Sequence, residues 1–295
     1  MDLERISNGE IEVTVSPVGA EMQSLADAKT GREYLWQGDS HYWSGRSPIL
    51  FPATGGLWNG EARIDGHVYN VPKHGFMRDR RWQLAAKTAD SVTFAYEGRG
   101  EDAAAFPWLY RLEVEYKLDG RKVVATFRVH NYGNTEMLFQ IGGHPGFILP
   151  DYREDDPVSG YLKLEGKAQS VLRAGEQGCT EPLRHNFPHT EDGLVPISVD
   201  TFANEALIFD ASQVKAATVL RKDRTPIARV ESTAPVWLFW QPQGVHSPFV
   251  CAEPWYGLCD PIGFAGELAQ RPYINRVGPA KTWEGGYAIE LLAGK

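Results

Sequence analysis

Period-two alternation of apolar and polar side chains runs through nearly the whole chain, and it constrains the fold more than any other feature. In "RLEVEYKL", Leu112, Val114, Tyr116 and Leu118 share one face, and Arg111, Glu113, Glu115 and Lys117 share the other. A segment of this kind hides one face and wets the other as a half-buried antiparallel strand. "KVVATFRVHN" repeats the pattern, with Val123, Ala125, Phe127 and Val129 inward, and "IEVTV", "SVTFAYEG", "PVWLFWQP" and "PFVCAEPW" read the same way. Turn sequences such as "LDGR", "NYGN" and "RIDGHVY" separate the runs. No amphipathic stretch reaches the roughly twelve residues of a firm helix. "EDAAAF" reads as a short helix at most, and the acidic "DYREDDPVSG" as an exposed loop. Many short strands with turns between them mean an all-β sandwich or barrel, and such folds run to this length as one domain, here residues 1–295.

Charge and motif content exclude several function classes. The net charge of −8 lacks the basic face that nucleic acid requires. No apolar run approaches the roughly 18 residues of a membrane span. The opening "MDLERISNGE" has no apolar core, so it does not read as a signal peptide. Three cysteines, Cys179, Cys251 and Cys259, are an odd number without a Cys-x-x-Cys pair, which fits a reducing cytoplasm better than a disulfide framework. There is no strand–GxGxxG–helix unit, no phosphate-binding GxxxxGK[ST] loop, no G-x-S-x-G elbow and no H-E-x-x-H. His185 and His189 in "RHNFPH" are four apart, but the adjacent proline and loop-like context make a metal pair the minor reading. No metal and no cofactor are expected.

Three stretches stand out. Residues 45–82 are dense in Gly, Pro, aromatics and Arg, and they carry Arg46, His74 and Arg78. "FQIGGHPGF" sets His144 behind two glycines and before Pro145 at the end of an apolar run. "VCAEPWYG" puts Glu253 on a strand face shared with Phe249 and Cys251. A buried unpaired carboxylate is expensive, so Glu253 needs a salt bridge, a hydrogen bond or a chemical role.

"HGFMRDRRW", "FPWLYRLEVEYKL", "GGHPGF" and "AEPWYG", in this order, resemble the aldose 1-epimerase family, the galactose-mutarotase-like proteins, in its smaller Gly-Gly-His-Pro branch. The resemblance spans roughly Ile11 to Leu292. It implies a large antiparallel β-sandwich with a site on the concave face of one sheet. It also implies interconversion of the α and β anomers of a free aldohexose without cofactor or metal. Position by position, it implies His144 as general acid and Glu253 as general base. Arg46 and His74 match positions that hold the sugar, and Arg78 is a further contact. Trp255, beside the base, serves either as a stacking surface or as core packing. Glu205, in "NEALIF", stands near a family aspartate but differs in type and is left outside the expected site.

The chemistry asks for these residue types independently. An aldopyranose opens when O1 loses a proton and the ring oxygen gains one, so one base and one acid must face the anomeric centre. At ordinary pKa values a Glu supplies the base and a partly protonated His the acid. A sugar-binding protein without catalysis would not need both His144 and Glu253. A glycoside hydrolase usually needs two carboxylates about one bond, and only one acid here has a motif around it.

Overall fold

The computed structural model describes residues 3–292. Its described residues contain strands and four short 3₁₀ turns, and no α-helix. The alternating segments are strands: Ile11–Val15, Ser91–Gly98, Tyr110–Asp119, Lys122–Asn131, Val236–Trp240 and Phe249–Tyr256. Leu112, Val114, Tyr116 and Leu118 are buried as the alternation requires, and so are Val123, Ala125, Phe127 and Val129. "EDAAAF" forms turns instead of a short helix. Its alanines have too few neighbours in sequence to offset the cost of nucleating a helix. The segment "DYREDDPVSG" is loop up to the start of a strand at Gly160, but only Arg153, Glu154, Asp155 and Pro157 are exposed, because Asp151 and Asp156 pair with Arg221 and Lys222 and Ser159 and Gly160 are buried.

Two large antiparallel sheets carry the structure. The nine-stranded sheet is centred on Thr282–Leu291, Lys122–Asn131 and Tyr110–Asp119. The seven-stranded sheet runs Leu172–Arg173, Ala206–Phe209, Val236–Trp240, Phe249–Tyr256, Ile141–Gly143 and Ile49–Leu50, with Gly146–Ile148 also paired to Phe249–Tyr256. One continuous apolar cluster joins the inner faces of both, with Val114 and Phe127 from the larger sheet and Trp237, Phe239, Val250 and Ala252 from the smaller. The result is a large antiparallel β-sandwich. No helix among the described residues is long and apolar enough to cross a membrane.

The smaller sheet has a second face. Because side chains alternate, Trp237 and Phe239 enter the core, whereas Val236, Leu238 and Trp240 point away from it. Along Phe249–Tyr256 the same rule sends Val250 and Ala252 inward and Cys251, Glu253 and Trp255 outward. Loops cover this outer face, so its residues are nearly as inaccessible as the core.

The two glycines before His144 are explained by this packing. Neither has a positive φ. A Cβ on Gly142 would lie 2.7 Å from Trp255 Cδ1, and one on Gly143 would lie 2.3 Å from Tyr287 Cε1. They leave room for one aromatic ring on each face of the sheet, a different need from the tight turn that glycine suggests in sequence. Gly143→Ala should therefore overpack against Tyr287 and lower the unfolding free energy by about 1–3 kcal/mol. Urea denaturation followed by tryptophan fluorescence measures this, and an unchanged midpoint would mean that Tyr287 moves aside freely.

Candidate active site

The register of two neighbouring strands builds the centre of the site. Gly142 pairs with Trp255 and Gly146 pairs with Cys251. Two residues in from either flank, His144 falls opposite Glu253. The regular ladder lapses there because Pro145 and Pro254 have no N–H to offer. The chain is held instead by Ala252 N donating to Pro145 O at 3.1 Å and His144 N donating to Pro48 O at 3.1 Å. Opposed side chains on one face of an antiparallel pair meet. Accordingly His144 Nε2 lies 3.2 Å from Glu253 Oε2, within ion-pair range. Continuing the row, Glu253 pairs with Leu238, and Leu238 with Ile208.

This row is the floor of a cleft of about 600 Å³, a size that suits a small-molecule ligand. Five of the six residues singled out in the sequence line it: His144, Glu253, His74, Arg78 and Trp255. The cleft also brings in Trp43, Lys73, Glu21 and Glu205, which sequence reasoning did not place there. Trp43 stacks on the His144 ring at 4.8 Å and 26°. Lys73 lies 3.7 Å from Glu205, and both are partly exposed. Two of these had a sequence signal, since Lys73 directly precedes His74 and Glu205 stands near a family aspartate position. Glu21 had none. It reaches the cleft edge because its carboxylate accepts the backbone N–H groups of Arg46 and Ser47, each at 2.9 Å.

Arg46 departs from the expectation. Its guanidinium donates to Gln23 O at 2.8 Å and Gln37 Oε1 at 3.1 Å, outside the cleft lining. Its backbone is what serves the site, since Arg46 O accepts from Gly146 N at 2.9 Å. Its strand neighbour Gly146 is one row away from His144, and the long side chain finds partners in the N-terminal segment first. Trp255 lines the cleft but is only 1 % exposed, wedged against Gly142 and Gly55. It is a buried wall, and the partly open aromatic surface in the cleft belongs to Trp43 and Trp240.

His74 is held in a left-handed conformation, φ 68°, by Gly55 on both sides of its backbone and ring. His74 N donates to Gly55 O at 2.9 Å, and Gly55 N donates to His74 Nδ1 at 3.1 Å. Accepting at Nδ1 leaves the ring proton on Nε2. Burial, then the charges of His144, Lys73 and Arg78, press His74 well below the ordinary imidazole pKa. Arg78 sits on a 3₁₀ turn, Met77–Asp79, and makes only long contacts, 3.4 Å to Lys73 O and 3.9 Å to Asp79. His185 and His189 do not join any three-donor cluster among the described residues; His185 faces Glu181 at 3.4 Å.

The central pair does not keep ordinary pKa values. Burial pushes Glu253 well above the carboxylate range, partly opposed by Lys73 and the Trp255 indole. Burial pushes His144 down, reinforced by Lys73 and Arg78. Both shifts disfavour an isolated charge. The state they select carries one proton between the two groups and no net charge.

The structure thus brings a buried carboxylate and an imidazole face to face under one cleft, and comparison with known proteins shows the family. The profile of the aldose 1-epimerase family matches residues 2–261. The chain belongs to the aldose 1-epimerase family. Protein LacX of Lactococcus lactis subsp. lactis is 27 % identical over 301 residues, covering 97 % of this chain and 98 % of the relative. A solved galactose mutarotase related enzyme from Lactobacillus acidophilus superposes with a TM-score of 0.89 at 28 % identity, covering 99 % of this chain and 97 % of that one. A galactose mutarotase-like protein from Lactobacillus casei ATCC 334 gives 0.91 at 24 % identity, covering 98 % and 100 %. Within this family member, the neutral His74 is directly testable. Long-range ¹H–¹⁵N NMR should find the Nε2–H tautomer unchanged through the pH range where an ordinary imidazole charges. A ring that titrates normally would mean that Gly55 N–H has another acceptor.

Proposed function

We propose that this protein interconverts the α and β anomers of a free aldohexose, with Glu253 as general base and His144 as general acid. The observation that carries the reading is the cross-strand placement of these two groups at the cleft floor, 3.2 Å apart. O1 and the ring oxygen sit on the same carbon, so the groups that serve them must themselves be neighbours. The one-proton state supplies what ring opening needs. Burial rests the shared proton on Glu253, so the reactive tautomer is the one in which it has moved to His144; Glu253 then takes the O1 proton while His144 donates to the ring oxygen. The pair ends with the proton on Glu253, still uncharged overall. The aldehyde carbon turns, and closure on its other face runs the two transfers backwards. Because the pair's net charge never changes, neither opening nor closure leaves an unpaired charge in the low-dielectric site. His74, with its proton on Nε2, and Arg78 offer donors for sugar hydroxyls, and the partly exposed Trp43 offers aromatic surface.

Glu253→Gln keeps the shape but cannot take the O1 proton. It should lower kcat by about 10² to 10⁴, and His144→Asn by a similar factor. The double variant should be little worse than either single one, since groups acting as a unit are not additive. Polarimetry on freshly dissolved α-glucose and α-galactose reads this directly. Wild-type turnover in Glu253→Gln would remove Glu253 from the chemistry, and sugar binding without turnover in the wild type would make the protein a binder only.

The pair's coupled titration sets the pH profile. Activity falls in acid when the pair takes a second proton and in alkali when it loses its only one. A lowered His144 moves the first limb down and a raised Glu253 moves the second up. The kcat/KM plateau should thus extend beyond both ends of the roughly 4.3 to 6.5 window of unperturbed Glu and His. A narrow bell inside that window would count against the buried neutral pair.

A neutral sugar suits the cleft better than a phosphate ester. Lys73 and Arg78 line it together with Glu21, Asp79 and Glu205, so carboxylates match or outnumber the cations. A phosphate dianion calls for several convergent, unopposed Arg or Lys donors. Saturation-transfer NMR on glucose and glucose 6-phosphate should show faster anomer exchange for glucose, and the reverse order would reassign Lys73 and Arg78 as phosphate ligands.

A further inference from the structure

Cys251 has no part in the proposed proton transfers, yet it stands beside them. It precedes Glu253 by two residues on the same strand face and lies opposite Gly146, one row from His144. One donor atom each from His144, Cys251 and Glu253 lie within 4.8 Å of one another. All three residues are buried, with His144 the most accessible at 7 %. A second observation marks the spot as under-satisfied. Glu253 Oε2 is buried without an aligned hydrogen-bond partner, its 3.2 Å approach to His144 Nε2 included, and such an atom in a native interior calls for an explanation. Thiolate, imidazole and carboxylate are the donor types that select a borderline-soft divalent ion, with the cleft left for a fourth ligand.

We propose that His144, Cys251 and Glu253 form a Zn²⁺ site that closes the epimerase centre by occupying both members of its acid–base pair. The site itself rests on geometry; only its inhibitory consequence rests on the function proposed above. The protons balance. Zn²⁺ binding displaces the Cys251 thiol proton and the single proton of the pair, and both leave through the cleft. A dication then stands where two protons stood, so the buried net charge is the same before and after, which a low-dielectric interior favours. The other two cysteines do not compete on this basis. Cys179 and Cys259 are buried as well, and Cys259 lines the cleft, but neither joins a three-donor cluster among the described residues.

Cd²⁺ is the probe, because its bond to a thiolate gives an ultraviolet charge-transfer band that can be read without turnover. The full chain carrying Cys179→Ala and Cys259→Ala is titrated with Cd²⁺. The expected result is a band saturating at one ion per chain. The band should vanish in Cys251→Ala, and in Cys251→Ser as a second variant should the alanine not fold. His144→Asn should weaken the ion by more than the roughly tenfold that losing even an outer-shell partner costs. In parallel, Zn²⁺ should inhibit anomerisation in the Cys179/Cys259 background and lose potency by a similar factor when Cys251 is replaced, each variant being compared with its own metal-free rate. No band, a band that survives replacement of Cys251, or a band indifferent to His144→Asn would overturn the site. A band as described in a protein that never anomerises a sugar would leave the metal site standing and sink the epimerase reading. Normal anomerisation with no band would do the opposite.

Discussion

The site depends on the pairing of the segment around Ile141–Ile148 with the strand Phe249–Tyr256. Regular pairing on both sides of a short irregular step leaves His144 no choice but to face Glu253. The irregularity is chemical. Pro145 and Pro254 each remove a donor from the ladder, and Pro48 O and Pro145 O accept the backbone N–H groups that stay nearby. Gly142 and Gly143 let Trp255 and Tyr287 lie flat against the strand on either side. A shift of one residue would send Glu253 into the sandwich core and Pro254 into the cleft, so the same apolar packing that stabilises the sandwich also sets the geometry of the His144–Glu253 pair.

Burying a carboxylate beside an imidazole would be destabilising if either were charged alone. The arrangement avoids this by letting the pair share one proton and remain neutral. Lys73 is the finer adjustment: it favours the Glu253 carboxylate and disfavours the His144 imidazolium. Its own partner, Glu205, lies at 3.7 Å, a loose contact across the cleft wall. Both Glu205 and His74 hold positive φ, a conformation that non-glycine residues keep only when the surrounding structure over-determines it. Two such residues and the buried Glu253–His144 pair thus line one cleft, while Tyr110–Asp119 and Lys122–Asn131 in the large sheet behind it show simple alternation.

Much of the site was legible residue by residue. His144, Glu253, His74 and Arg78 were each marked by an unusual local context, and all four line one cleft. Arg46 was misjudged, because an arginine in a Gly- and Pro-rich run looks the same whether its guanidinium faces a ligand or a backbone carbonyl such as Gln23 O. Trp43 and Glu21 went unnoticed, since their roles depend on contacts with residues about 100 positions or 25 positions away, and no local pattern encodes those. The pair's ionisation was misread for a similar reason: an ordinary Glu and His are the correct guess until burial is known.

By itself, the sequence determined that the chain is all-β, which face of strands such as Tyr110–Asp119 and Lys122–Asn131 is buried, and which side chains are chemically conspicuous; Val236–Trp240 and Phe249–Tyr256, which read as half-buried, are buried on both faces. Those determinations follow from a side-chain period of two and from the cost of burying a charge, and both are local properties. Only the tertiary structure decided that His144 meets Glu253, that Arg46 turns away, that Trp255 is a wall while Trp43 stays partly exposed against His144, and that Cys251 completes a three-donor cluster. Those outcomes rest on register between strands more than 100 residues apart in sequence, and register is fixed by the packing of the whole sandwich, which no single segment contains.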